Sequence, residues 1–485
     1  MPTRIIKFLA IGTAALATPS FAQDLTPEQI VADINLARSA FSNIHPGYDR
    51  FTDVAEIEAG WDGILSKAES QDGLDVGPLY LAISETLARI RCDHTKAELP
   101  QTLKNARKTD DVYLPLRWRI VEGLAIIEAA PEGTGLARGD EILSIDGRTI
   151  AELRAILHPY IPVDGYNDHT KDTLMTASLE HMGGAIDHFG ALLFEVPRTA
   201  SLKVRSEGGD ARNVILDRVT YEYWKAIAIT DSARNFKDAV SLERVGERGA
   251  VLRVDTFVNY RDPVDPDKVY RPVFQALKSE GRDKLILDLR RNGGGSTDAS
   301  QGLFAYFIDK KRRMKTAEIF KTLDHSAYTD YISTWDKRAI NPNRMGFSKT
   351  QSGEYALRGM FSENTDKIKP AKPGFDGELI ILTSRSNSSG ATNLIAALQA
   401  ARPVTLVGEM TGGNPLGPTA GTIFFFKLPE SGITLRLPVI RQVNNVGDLP
   451  KGLGLVPDVE APDTVASFRA GRDPAKEAAL ALIED

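Results

Sequence analysis

The chain has 485 residues, 42% of them hydrophobic and 26% charged, an ordinary globular composition too long for one core, so two or three domains are expected. A formal net charge of −6 speaks against nucleic acid or an anionic membrane surface as the main partner. A lone cysteine, Cys92, excludes an internal disulfide, and no Cys/His cluster supplies the four ligands of structural zinc.

The first 22 residues have the pattern of a secretory signal. Arg4 and Lys7 precede the apolar run Phe8 to Thr18, and Pro19-Ser-Phe-Ala22 offers small residues for cleavage before Gln23. The run is too short to span a bilayer, and no cysteine follows it to carry a lipid. An exported, periplasmic or secreted protein with no stable membrane insertion is expected.

Residues 23–110 read as a helical region. Thr26-Pro-Glu-Gln29 resembles a capping box with proline at the first helical position, and Ile30, Ile34, Ala37 and Phe41 keep a helical period. His45-Pro-Gly47 breaks the pattern, which resumes near Val54 to Lys67 and Val76 to Arg91 and ends at Cys92-Asp-His-Thr95. Residues 111–220 turn to strand-like runs, at Ile120 to Ala129, Leu202 to Val204 and Val214 to Leu216. Within them, 158–195 has the look of an insertion, polar and then helical. It holds His158, His169, His181 and His188, whose spacings fit no ligand pattern, so no metal or cofactor is expected.

From 235 to 465 strands and helices alternate. Strands are expected at Ala250 to Val258, Lys284 to Leu289, Glu378 to Thr383 and Val404 to Gly408. Helices are expected at Pro266 to Ser279, Ala299 to Ile308 and from Gly390. This alternation predicts an α/β multidomain protein with a mostly parallel sheet. Two further short strands, Thr422 to Lys427 and Ile433 to Leu437, meet in a hairpin. The basic run Lys310 to Arg313 reads as a solvated helix end, and 466–485 as a C-terminal helix.

Two features fall at the carboxyl ends of sheet strands, where sites gather in open α/β sheets. Ser389 opens a helix, beside backbone N–H groups and the positive end of a dipole, which suits a nucleophile whose attack creates an oxyanion. An N-cap is the commoner role for such a serine. Leu285-Ile-Leu-Asp-Leu-Arg-Arg-Asn-Gly-Gly-Gly295 reads as a buried strand running into a glycine turn that presents further N–H donors. Asp288 pairs with Arg290 on this reading.

These segments resemble the tail-specific, or C-terminal processing, serine peptidase family. The likeness rests on Leu285 to Arg290 with Gly293-Gly-Gly295, on Ser389-Gly-Ala-Thr-Asn with Val407-Gly-Glu-Met-Thr411, and on Gly452-Leu-Gly-Leu-Val-Pro-Asp458. Gly135 to Gly147 resembles the core of a PDZ domain, a module that captures a peptide C-terminus by strand addition. The resemblance implies a crotonase-like core at 235–465 preceded by a PDZ-like domain at 111–220. The family's Ser/Lys branch places its lysine where this chain has Asn414. The tricorn-like branch uses Ser and His, and Asp93-His-Thr95 is similar to its histidine motif.

The resemblance thus implies Ser389 as nucleophile and His94 as base, with an oxyanion held by Gly390 and by Gly294 or Gly295. The acid that the branch places before the terminal signature is Lys451 here. This leaves Asp448, Asp93 and Glu409 as candidates to orient His94, and Lys451 as an alternative base. The expected function is an exported serine endopeptidase that needs no cofactor and acts on peptide or unfolded protein, reached through its C-terminus. The rival is a peptide-binding protein that kept the scaffold without activity. A lipid or small-ester hydrolase is disfavoured by the lack of a Gly-x-Ser-x-Gly elbow.

Overall fold

The computed structural model describes residues 24–178, 182–228 and 235–484, so the leader segment and His181 lie outside the described residues. The architecture is mixed α/β with several sheets. The central one has the strand order Val240–Val245, Gly249–Val254, Lys284–Asp288, Glu378–Thr383, Thr405–Gly408, Val459–Glu460. All neighbours pair in parallel except the first two. The near-continuous apolar runs of these strands follow from burial on both faces. Leu285, Leu287 and Ile381 face one core with Tyr270, Phe274, Leu303, Leu394 and Ile395 from three crossover helices. The alternate residues Ile286, Ile380 and Leu382 pack with Val407 against Ala475, Ala479 and Ile483 of the helix Pro474–Glu484. That last helix is therefore the cover of one sheet face, and each Ile, Leu or Val there contributes roughly 1.5–3 kcal/mol on burial.

The N-terminal region forms the helices Pro27–Ile44, Val54–Ser70 and Val76–Ala88. Its capping box is present, with Thr26 Oγ1 accepting from Gln29 N–H and Gln29 Oε1 from Thr26 N–H. The region is not purely helical. Lys96–Glu98 is a strand that joins Thr434–Pro438, with Ala97 opposite Leu435. This main-chain pairing fixes the preceding turn, Asp93-His94, to the half of the chain that carries Ser389.

Residues 117–217 build an antiparallel sheet in the order Arg117–Val121, Leu124–Ala129, Glu141–Ile145, Thr199–Arg205, Ala211–Asp217. The single strand expected at Ile120 to Ala129 is two, because Glu122 and Gly123 take φ of 52° and 78° and close a tight hairpin. Between 310 and 375, beyond the exposed lysines 310 and 311, lie short strands the pattern does not announce. Among them Lys315–Phe320 pairs with Arg441–Asn444.

Segment 158–195 is mostly irregular, with short helices at Lys171–Thr176, Ala185–His188 and Gly190–Leu193. It reaches the half of the chain that carries Ser389. Tyr166 N–H donates to Gly452 O at 2.6 Å, Asn167 Oδ1 accepts from Gly454 N–H at 2.8 Å, and His169 Nε2 lies 3.3 Å from Met410 O. These contacts have a physical cause: the irregular backbone of 452–454 needs partners, and this segment supplies them.

Candidate active site

Ser389 opens the helix Ser389–Ala401 directly after Ser388, the N-cap residue. The helix is Ala- and Leu-rich and buried along Gly390 to Leu398, as an apolar helix inside a large domain should be. Ser389 has φ 44°, the left-handed region that an L-residue enters at a cost of about 1–3 kcal/mol unless its surroundings impose it. Here two glycines do so. A Cβ on Gly294 would stand 2.9 Å from Ser389 Cβ, and one on Gly413 would stand 3.1 Å from Ser389 N. Backbone thus approaches the serine from both sides, and the side chain remains partly exposed to solvent.

The glycine turn and the helix start face each other. A Cβ on Gly390 would lie 3.5 Å from Gly295 N, and Gly295 itself has φ 137° against the Phe257 carbonyl. Gly294 N–H is engaged by Asn292 Oδ1 at 2.9 Å. Among the described residues neither Gly390 N–H nor Gly295 N–H has an acceptor, so two donors converge beside Ser389.

Asp93 and His94 form a tight turn on the same cleft, closed by Thr95 N–H to Cys92 O at 3.0 Å. Buried Thr95 Oγ1 meets His45 Nε2 at 2.8 Å, while His45 Nδ1 accepts from Gly47 N–H. Asp93 Oδ1 stands 2.5 Å from His94 Nδ1, close enough for an ion pair but outside hydrogen-bond alignment. Asp93 Oδ2 accepts from Ser388 Oγ at 2.5 Å. Burial by itself would lower the His94 pKa, but the Asp93 carboxylate outweighs it and holds the imidazole well above its ordinary value. Burial would raise Asp93; the His94 charge and the Ser388 hydroxyl bring it down to about 2.

The cleft has a volume of about 1240 Å³ and is lined by Asp93, His94, Ser388, Ser389 and the 293–295 turn. Of the other acids considered, Asp448 is exposed away from the cleft, and Glu409 is held by Arg385 through Nε at 3.0 Å. Lys451 is exposed and does not line the cleft. Asn414 is buried, its side-chain Oδ1 accepting from Leu416 N–H. Asp288 does pair with Arg290, through two contacts of 2.8 and 2.9 Å.

Two cleft residues escaped the sequence reading. Ser388 joins the Ser389 loop to the Asp93-His94 turn. Asp164, in the irregular segment, is buried on the cleft wall with Oδ2 accepting from Asn414 N–H at 2.9 Å. Burial first, then the Asp93 charge, pushes its carboxyl up to about 7. No local pattern marks either residue. Cys92, Asp93 and His94 place one potential ligand atom each within 4.8 Å of one another. Cys92 donates to Thr419 O and Asp93 accepts from Ser388, so the group is accounted for by hydrogen bonding.

A serine in a left-handed conformation at a helix start, N–H donors beside it and an Asp-His turn share one cleft, an arrangement that fits a serine-type peptidase. Residues 248–461 match the model of peptidase family S41. In fold the chain is similar to mature CPAF complexed with lactacystin, at a TM-score of 0.61 and 15% identity, over 94% of this chain and 97% of that one. The photosystem II D1 C-terminal processing protease aligns over 90% and 93% of the two chains at 16% identity and TM-score 0.41. The tricorn protease aligns over 94% of this chain and 37% of its own at 16% identity and TM-score 0.38. The segment matched to family S41 carries both the glycine turn and Ser389.

Proposed function

We propose that this chain is an exported endopeptidase of the Ser/His type that cleaves extended or unfolded polypeptide through an acyl-enzyme. The observation that carries the reading is Ser389: a strained φ of 44°, two unpaired N–H groups beside it, and the Asp93-His94 turn on the same cleft. In the first step His94 takes the Ser389 Oγ proton as the oxygen adds to the scissile carbonyl. Gly390 and Gly295 N–H donate to the resulting oxyanion; Gly294 is left out because its N–H already serves Asn292. Protonated His94 then passes its proton to the leaving amine, the acyl group stays on Ser389, and water attacks by the reverse sequence. Asp93 acts as the orienting acid, and Ser388 fixes the carboxylate rotamer.

The antiparallel sheet of residues 117–217, with the helix Ile150–Leu157 on it, supports a PDZ-like module at 111–220 that accepts a peptide strand. The parallel sheet at 235–465 supports the crotonase-like core, with 23–110 as a helical region and 466–485 as the C-terminal helix. The signal-like pattern of residues 1–22 supports export, and no described helix is long and apolar enough to cross a membrane. The test is hydrolysis of a reduced, unfolded protein. The wild type releases peptides and Ser389→Ala does not, at an unchanged melting temperature; equal hydrolysis by the variant overturns the assignment.

A further inference from the structure

Lys315 begins the strand Lys315–Phe320 and is only 3% exposed, while the lysines at 310 and 311 in the nearby basic run are in solvent. Lysine is almost never buried without a partner, and an ammonium has three protons to donate. Lys315 Nζ makes one contact, 3.5 Å to Thr297 Oγ1, at the limit of a hydrogen bond. Among the described residues no carboxylate lies within ion-pair distance of it. The acid nearest in sequence, Glu318, is occupied elsewhere: its oxygens accept from Ser362 Oγ at 2.5 Å and Asn364 Nδ2 at 2.7 Å. Burial brings the ammonium pKa down to about 8, with the Glu318 charge acting against the fall, so the group is still mostly charged at neutral pH.

This cation lines the same cleft as Ser389. Thr297, its hydrogen-bond partner, starts the helix Thr297–Ala305 two residues beyond Gly295, so the ammonium sits next to the glycine turn that packs on Ser389. The cleft lining also includes the neutral residues Asn393, Gln442 and Ile423, and the charged residues Asp93, Asp164, Asp255, Lys96, Arg291, Arg385 and Arg436. The positive end of the Thr297 helix adds to its field. An unpaired buried cation weakens the fold, and such a cost persists where a ligand uses it.

We propose that Lys315 is a specificity-determining residue, which receives a carboxylate of the peptide substrate beside the scissile bond. The inference rests on the peptidase reading and gives it a substrate class: chains with an acidic side chain next to the cleaved bond, or with their own C-terminal carboxylate placed there. The carboxylate would complete the ammonium's hydrogen bonds in a desolvated pocket, where a charge-assisted pair discriminates strongly against the neutral amide.

The test digests a tryptic peptide library, with free and with amidated C-termini, and maps every cut by mass spectrometry. The wild type should enrich Asp or Glu at one position flanking the bond by roughly 10- to 100-fold over Asn or Gln. Lys315→Met should erase that enrichment, and Lys315→Glu should shift it towards Lys and Arg. Enrichment that vanishes on amidation, with cuts clustered near C-termini, assigns the carboxylate to the chain end. The Lys315→Met protein should melt no lower than the wild type, because it loses an unpaired buried charge. Four results overturn the proposal: wild-type cleavage indifferent to carboxylates, preference retained in Lys315→Met, loss of all cleavage in that variant, or a lower melting temperature. Absence of any cleavage by the wild type refutes the peptidase reading itself, and the inference with it.

Discussion

Asp93→Asn keeps the side-chain shape and an oxygen for the Ser388 hydroxyl, and removes the charge beside His94. With Asp93 ionised, the imidazole is held well above 6.5 against the effect of burial. Without that charge burial, which lowers a histidine, is opposed chiefly by Cys92. The His94 midpoint should therefore fall. Each unit of that movement corresponds to about 1.4 kcal/mol of lost imidazolium stabilisation. The same loss applies when His94 holds the Ser389 proton in the transition state, so kcat should fall about 10²- to 10⁴-fold. The sign follows from the chemistry. A base must be unprotonated to act, so activity rises with pH through the His94 midpoint, and the variant's rise should come at lower pH. The assay is kcat/KM for an unfolded polypeptide across about pH 5 to 9, for both proteins. A reduced rate with an unmoved midpoint would make Asp93 merely structural. A midpoint that moves upward would refute the electrostatic account.

Two further outcomes are expected. Ser388→Ala breaks the 2.5 Å bond to Asp93 Oδ2 and should cost about tenfold in kcat/KM while Ser389 stays reactive. His45 is held neutral to about pH 3, by burial first and the Lys321 charge second. Its unfolded form gains a proton below 6.5, so the stability it contributes is full above 6.5 and is lost as pH falls towards about 3. Urea midpoints across that window should fall more steeply for the wild type than for His45→Gln.

Ser389, the glycine turn and the parallel sheet were legible because each is a contiguous strand–loop–helix statement. The apolar runs at 284–288 and 378–383 lead into the glycine turn and Ser389. The His94 turn was legible only through family likeness. The sequence does not show that Lys96–Glu98 would leave the helical region and pair with a hairpin more than three hundred residues away. The Ser388–Asp93 bond joins residues 295 apart, and no period encodes such a contact. Asp164 lies in irregular backbone, where side-chain placement is set by tertiary contacts such as Asn414 N–H. The short strands between 310 and 375 lacked the length to show a period. The helix Pro474–Glu484 was visible as a helix, but its role as cover for Ile286, Ile380 and Leu382 was not.

The central claim is that Ser389 is the nucleophile and His94 its base. It is tested most directly by treating the protein with a peptidyl phosphonate ester, which phosphonylates an activated serine, and locating the adduct by mass spectrometry. The account predicts a single adduct, on Ser389, formed faster as pH rises through the His94 midpoint and reduced to background in His94→Gln. An adduct on Ser388 or another residue, or full labelling of Ser389 in His94→Gln, would contradict it.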